Sequence, residues 1–231
     1  MNGSIRKITL GTTYYNCPDL LNDFVKTNLP YVDELIIVDD GSVEPASNYL
    51  RPDDKLKLFV VNNDLGFNSH GCRNLIVDQA TNDWIVLIDI DRQFKDPEYT
   101  FNSLQLKKLY KDVRYLFVVH APVWEKGMHY SVNDYLIHKD LFARAGGYDE
   151  EIVGQRWGDR EFFKQLLSAG GKEIVLSDID LVHMRPSTLK LNDKKLISSC
   201  NEVTHRELIN ERIKIPDPNK PTLQFRWYQV T

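Results

Sequence analysis

Two carboxylates one residue apart, Asp89 and Asp91, follow directly on the apolar run Trp84-Ile85-Val86-Leu87-Ile88. On an extended chain, side chains at i and i+2 lie on the same side. Two like charges that close are unfavourable unless something positive sits between or beside them. A divalent cation that favours oxygen ligands, Mg²⁺ or Mn²⁺, meets that need, and such ions commonly bridge to substrate phosphates rather than sit in all-protein cages. An Asp-x-Asp pair is also a common accident at a solvated strand end, so position has to decide between the two readings.

Two other polar clusters hold the same kind of position. Thr12-Thr13-Tyr14-Tyr15 closes the first strand-like run, Ile5 to Thr12, and Asp39-Asp40-Gly41-Ser42 closes the run Leu35-Ile36-Ile37-Val38. Asp39 and Asp40 also suit the plain role of capping a turn. Downstream, Trp157 and Trp124 offer aromatic faces on which the CH groups of a ligand can stack, Trp157 being the better placed beside Asp159.

The elements that must position these residues can be read from periodicity. Ile5 to Thr12, Leu35 to Val38, Leu56 to Val61 and Trp84 to Ile88 are short apolar runs of strand length. Between them, Pro18 to Asn28 and Asn68 to Ala80 carry apolar residues near helical spacing, with Pro18 at a helix start. Strands that are apolar throughout are buried on both faces, as in parallel sheets. The β-α-β-α-β order therefore predicts an α/β fold with a mostly parallel central sheet flanked by helices. In such sheets ligands sit beyond the carboxyl ends of the strands, where all three polar clusters fall.

The second half is less regular. Tyr115 to Val119, Asp134 to Ile137, Ile174 to Leu176 and Leu181-Val182 read as strands, and Lys139 to Ala145 and Asp159 to Ala169 as helices, each followed by a Gly-Gly breaker. Lys190 to Lys214 has the pattern of one long helix. An extended, proline-rich tail then ends in Phe225, Trp227 and Tyr228, aromatics expected to dock on the body.

Taken in order, Val38-Asp39-Asp40-Gly41-Ser42, Asn63-Asp64-Leu65-Gly66-Phe67, Cys72-Arg73-Asn74 and Leu87-Ile88-Asp89-Ile90-Asp91 resemble the nucleotide-binding half of family 2 glycosyltransferases of the GT-A fold. Ala145-Gly146-Gly147-Tyr148-Asp149-Glu150 and Trp157-Gly158-Asp159-Arg160-Glu161-Phe162-Phe163 are similar to the acceptor half of the galactosyltransferase-like branch. The resemblance runs from about Ile5 to Pro186. It implies a GT-A domain over residues 1–190, with a nucleotide-binding half (1–91) and an acceptor half (92–190), and a C-terminal helix and tail (191–231) packed on it.

The resemblance also implies roles. Thr13 and Tyr15 contact the nucleotide, Asp40 holds the base, and Arg73 lies near the base or diphosphate. Asp89 faces ribose or metal, Asp91 binds the metal, and His183 completes the metal site. In the family the catalytic base belongs to a Glu-Asp pair at a helix start. Here that pair reads Gly158-Asp159, so Asp159 is the candidate base and Glu161 a second one. Asp159 also suits an N-cap, and the missing Glu puts the acceptor class in question. Gly146-Gly147 would allow tight packing or unusual dihedrals near the donor sugar.

Composition excludes several alternatives. The net charge is −4 and the basic residues are scattered, without the stripe of a nucleic-acid binder. Three cysteines, Cys17, Cys72 and Cys200, form neither a metal spacing nor a disulfide framework. The opening Met1-Asn2-Gly3-Ser4 leads straight into a strand-like run with no signal peptide pattern, and no apolar stretch approaches the ~20 residues of a membrane span. A soluble, cytoplasmic protein is expected.

The functional expectation is an inverting, Mn²⁺- or Mg²⁺-dependent transferase that takes a sugar from a nucleotide-diphosphate donor, UDP-sugar favoured, to a glycan or small hydroxyl acceptor. A nucleotidyltransferase on a related sheet would carry a Gly-rich basic loop after the first strand, and Thr12 to Asn16 is not one. A non-catalytic sugar-nucleotide or glycan-binding module remains the other alternative.

Overall fold

The computed structural model describes residues 5–66, 68–120, 128–152, 158–184, 217–220 and 222–230. The apolar runs of the first half become β1 (Ile8–Tyr14), β2 (Glu34–Asp39), β3 (Leu56–Val61) and β4 (Trp84–Leu87), with α1 (Pro18–Asn28) and α2 (Ser69–Gln79) between them. These strands pair in parallel in the order β3-β2-β1-β4. Every residue of β2 and β4 is buried. Leu35 and Ile37 join the core on the α1 side, while Ile36 and Val38 join the α2 side with Cys72, Leu75 and Ile76. That two-sided burial is why these strands read as unbroken apolar runs.

The second half adds β5 (Arg92–Phe94), α3 (Pro97–Leu106), β6 (Val113–His120), β7 (Met128–His138), α4 (Lys139–Arg144), α5 (Gly158–Ser168), β8 (Lys172–His183) and β9 (Trp227–Val230). The nine strands among the described residues form one sheet in the order β5-β8-β6-β7-β4-β1-β2-β3-β9. The expected α/β sheet flanked by helices is present, but it is mixed: β6 and β8 pair in parallel, while β4-β7, β6-β7, β5-β8 and β3-β9 are antiparallel. The link 121–127 between β6 and β7 is too short for the crossover that a parallel pair needs.

Two strands expected within 174–182 are one, β8, with a register shift: Phe117 faces Leu176, whereas the next residue, Val118, faces Asp180. Helix α3, absent from the periodicity reading, starts on an Asp96 cap whose side chain accepts from the Tyr99 N–H at 2.9 Å, with Pro97 in the first turn. In the aromatic tail Trp227 meets Phe59 edge to face at 5.5 Å and β9 pairs along the outer edge of β3, whereas Tyr228, also expected to dock, is exposed. The helix expected over 190–214 lies outside the described residues, as do Trp124, Trp157 and Cys200. Among the described residues, no helix is long and apolar enough to cross a membrane.

Candidate active site

The chain leaves β4 through Asp89-Ile90-Asp91 at the edge where β1 and β2 also end. The two aspartates are treated differently. Asp89 is neutralised by protein: its Oδ1 accepts from Arg73 Nη2 at 2.5 Å, and its backbone N–H donates to Asp134 Oδ1 at 2.8 Å. Asn133 Nδ2 donates to its Oδ2 at 3.4 Å. Asp91 instead faces His183, with Nε2 and Oδ2 2.8 Å apart, and its Oδ1 is buried without a hydrogen-bond partner.

The Asp91–His183 contact joins residues 92 positions apart in the chain. Short β5 makes it possible, because Arg92 pairs with His183 in the β5–β8 ladder and Met184 N–H donates to the Asp91 carbonyl at 2.7 Å. Between Asp89 and Arg92 lies Asp134 of β7, fully buried. Burial, then the nearby Asp89 charge, pushes its carboxyl up to about 7. Arg92 Nε stands 3.4 Å from its Oδ2.

Across the edge, Asp39 and Asp40 divide their work. Asp39 anchors the loop after β2: its two oxygens accept from Ser42 N–H at 2.9 Å and Ala46 N–H at 2.8 Å. The turn-capping reading therefore holds for Asp39. Asp40 accepts from the Asn68 N–H at 2.9 Å and from the Cys72 thiol, and its Oδ1 is buried with no partner. Burial raises the Asp40 carboxyl to about 7. Thr13 Oγ1 and Asn68 Nδ2 are likewise buried without partners. Each such atom is unfavourable by about 1–3 kcal/mol unless something bonds to it. Tyr15 donates its hydroxyl to Asp64 Oδ2 at 2.9 Å, and burial raises its phenol above the ordinary range.

Asp159 sits in the first turn of α5, and its Oδ1 accepts from the Tyr148 hydroxyl at 3.1 Å. Tyr148 is fully buried and stacks on Phe162 at 4.4 Å. Its hydroxyl also meets Tyr135 Oη at 2.8 Å and Arg73 Nη1 at 3.3 Å. Arg73, which also donates to the Asn133 carbonyl at 2.7 Å, is thus buried between the Asp89 side and the Asp159 side of the site. Burial alone pulls its guanidinium down, but Tyr148, Asp89 and Asp159 together hold it well above its ordinary value.

Two glycines make this packing possible. A Cβ on Gly158 would fall 2.2 Å from the His70 ring, which itself stacks on Tyr148 at 5.1 Å. Gly147, at φ +66°, presents its open side to Asn74 Oδ1. Asn74 brackets Tyr148, accepting from its N–H at 2.8 Å and donating to its carbonyl at 3.0 Å.

The structure therefore brings Thr13, Tyr15, Asp40, Arg73, Asp89, Asp91, Asp159 and His183 to one edge of the sheet. Trp157 lies outside the described residues. Glu161, the second candidate base, turns away: it is buried and meets Lys220 of the tail at 3.3 Å. Sequence reading did not single out Asp134, Tyr135 or Tyr148. Asp134 carried a signal, a carboxylate directly before the apolar run Tyr135-Leu136-Ile137, whereas nothing local in Gly146-Gly147-Tyr148-Asp149 marks the Tyr148 hydroxyl.

The model of the family described as glycosyl transferase family 2 matches residues 9–137. Among curated proteins, none matches. Among solved structures, the chain is similar to the mannosyltransferase PcManGT from Pyrobaculum calidifontis in complex with GDP-Man and Mn²⁺, at TM-score 0.62 and 17% identity, over 80% of this chain and 59% of that one. It is also similar to GalNAc-T7 with UDP, GalNAc and Mn²⁺, at TM-score 0.60 and 12% identity, over 80% and 45%. The catalytic domain of Drosophila beta1,4galactosyltransferase 7 in complex with xylobiose aligns over 95% of this chain and 83% of that one, at TM-score 0.59 and 15% identity. The chain thus spans about half the length of the first two, and at these identities the likeness is one of fold.

Proposed function

This chain belongs to glycosyl transferase family 2, and from that premise we propose that it is an inverting, divalent-metal-dependent glycosyltransferase using a nucleotide-diphosphate sugar, with UDP-sugar favoured. The observation that carries the metal reading is the Asp91–His183 pair at the exit of β4, with an Asp91 Oδ1 that has no hydrogen-bond partner and only the Arg92 guanidinium 3.9 Å away. One hard oxygen and one imidazole nitrogen suit Mn²⁺, and Asp89 lies within the same turn. Among the described residues, no three His, Cys, Asp or Glu side chains gather into a cage. An ion held here would complete its shell from water and substrate phosphate, as Mg²⁺ and Mn²⁺ sites commonly do. When bound, it supplies charge neutralisation to the leaving diphosphate.

The chain's own residues would do the rest. Asp40 Oδ1 is an acceptor with no hydrogen-bond partner, and it suits the N–H of a pyrimidine base such as uracil. Thr13 and Tyr15 line the same exit. Arg73 holds Asp89 and, through Tyr148, the Asp159 side. Asp159 takes the acceptor proton as the anomeric carbon is attacked, with its charge favoured by the α5 N-terminus. The neighbours' complexes include both GDP-Man and UDP, and the N–H groups of guanine would also suit Asp40, so the preference for UDP comes from the sequence resemblance and needs its own test. Cys17 and Cys72 stand as free thiols, which suits the cytoplasmic location we propose.

The test is a panel of UDP-, GDP- and TDP-sugars with Mn²⁺, scored by donor hydrolysis and thermal shift. Release of UDP that stops with EDTA is expected. Neither turnover nor thermal shift with any donor overturns the reading. The anomeric configuration of the product, by NMR, decides between inversion and retention.

A further inference from the structure

We infer that Tyr148 is a positioning residue for Asp159, fixing the orientation of that carboxylate through its phenol. The inference rests on the proposed role of Asp159 as base. The hydroxyl of Tyr148 meets three groups: Arg73 Nη1, Tyr135 Oη and Asp159 Oδ1. Arg73 can only donate, and an ionised Asp159 can only accept. A hydroxyl has one proton and two lone pairs, so the Tyr148 proton goes to Asp159, and Tyr135 must donate to Tyr148. Every bonding position of the hydroxyl is then used, and only one assignment of protons satisfies all three contacts.

Two donated bonds, one from a cation, polarise the phenol and strengthen the bond that it gives to Asp159. Burial, with Tyr135 and Asp159 beside it, holds the Tyr148 phenol well above its ordinary range, so it keeps the proton that it donates. The ring cannot swing, because it stacks between His70 and Phe162 and its backbone is bracketed by Asn74. Oδ1 of Asp159 is thereby committed inward, which leaves Oδ2 as the oxygen to take the proton of an acceptor hydroxyl. The chain Asp89–Arg73–Tyr148–Asp159, at 2.5, 3.3 and 3.1 Å, also makes the donor side and the base side share one cation.

The test is Tyr148→Phe, which keeps the stacked ring and removes only the hydroxyl. Turnover is read as UDP release from UDP-galactose, or from whichever panel donor the wild type turns over, with Mn²⁺ present and water standing in for the acceptor. A fall in kcat of about 10- to 100-fold with donor KM within about twofold is expected, since a misaimed base slows the chemical step without loosening donor binding. Wild-type kcat in a folded Tyr148→Phe protein overturns the inference. A matching loss in KM together with a lowered melting temperature overturns it in favour of a packing role. If Tyr148→Phe does not fold, Tyr135→Phe decides, because it removes one donated bond at a distance from Asp159. A smaller fall in kcat, about 2- to 10-fold, is expected there, and no fall overturns the inference. If the wild type turns over no donor, the proposed function fails first and this inference falls with it.

Discussion

The β1–β4 region and the β5–β8 region build their parts of the site in different ways. In β1–β4 each polar cluster follows its own strand, so the chain's local order and the spatial order coincide. Thr13 and Asp40 are placed by their strand exits, with Asp40 also bonded by the Asn68 N–H and the Cys72 thiol. In β5–β8 the groups converge by pairing and packing instead. Asp91 meets His183 through the β5–β8 ladder, and Asp159 is held from below by Tyr148, itself bracketed by Asn74 of α2. The first region offers buried, unpartnered acceptors and hydroxyls suited to recognition, and the second offers paired and oriented carboxylates suited to chemistry.

On that division, substitutions in the two regions should separate binding from turnover. The largest effect is expected from Asp159→Asn, which should lower kcat by about 10² to 10⁴ while leaving the thermal shift with UDP and Mn²⁺ intact. Retained activity would remove Asp159 from the mechanism. Next comes Asp91→Ala, with a fall of about 100-fold at saturating donor and a loss of response to added Mn²⁺, measured as a metal titration of UDP release. Asp40→Ala should do the reverse, raising donor KM by about 10-fold with kcat near wild type, because it removes a binding contact made equally in ground and transition states. An Asp40→Ala enzyme impaired only in kcat would break the comparison.

A pH measurement sharpens it. The Asp134 carboxyl titrates near 7 in the folded chain and near its ordinary value when unfolded. The folded state therefore binds the extra proton between about pH 4 and pH 7, and stability contributed by this group is lost as pH rises through that window. Asp40 adds a second group of the same sign. Thermal melts without metal should show a shallower fall across this range for Asp134→Asn than for wild type, and an unchanged slope would mean that Asp134 does not titrate there. The smallest effect is Asp96→Ala, which removes the α3 cap. About 1 kcal/mol of stability should go, with kcat and KM unmoved, since α3 is remote from the converging groups.

Much of the first region was legible because two-sided burial demands apolar runs, and runs end in polar exits. Helix α1 could be read from Pro18 to Asn28, the span that the structure shows. The strand expected from Ile5 begins at Ile8, because Ile5 is exposed and pairs with nothing in the sheet. The second region was harder for physical reasons. β5 is three residues long and carries no alternation, so nothing local announces that Arg92 will lie beside His183. Tyr148 reads as a core aromatic, and its hydroxyl network exists only once α2, β7 and α5 are assembled. Glu161 looked like a base one helix step from Asp159, but the step turns it towards Lys220. The α3 start was written in Asp96-Pro97 all along, as a cap rather than a period.

The tail has a bearing on how the protein is made. β9 covers the open edge of β3, while Glu150 accepts from the Leu223 and Gln224 N–H groups at 2.6 and 3.0 Å and from Asn74 at 2.8 Å. On the ribosome, β9 emerges after the eight other strands. Until it does, β3 presents bare backbone donors and acceptors, the template on which a second nascent chain can add. The arrival of β9 pairs β3 and leaves this 4-residue strand as the outer one on that side, a far shorter template for edge pairing.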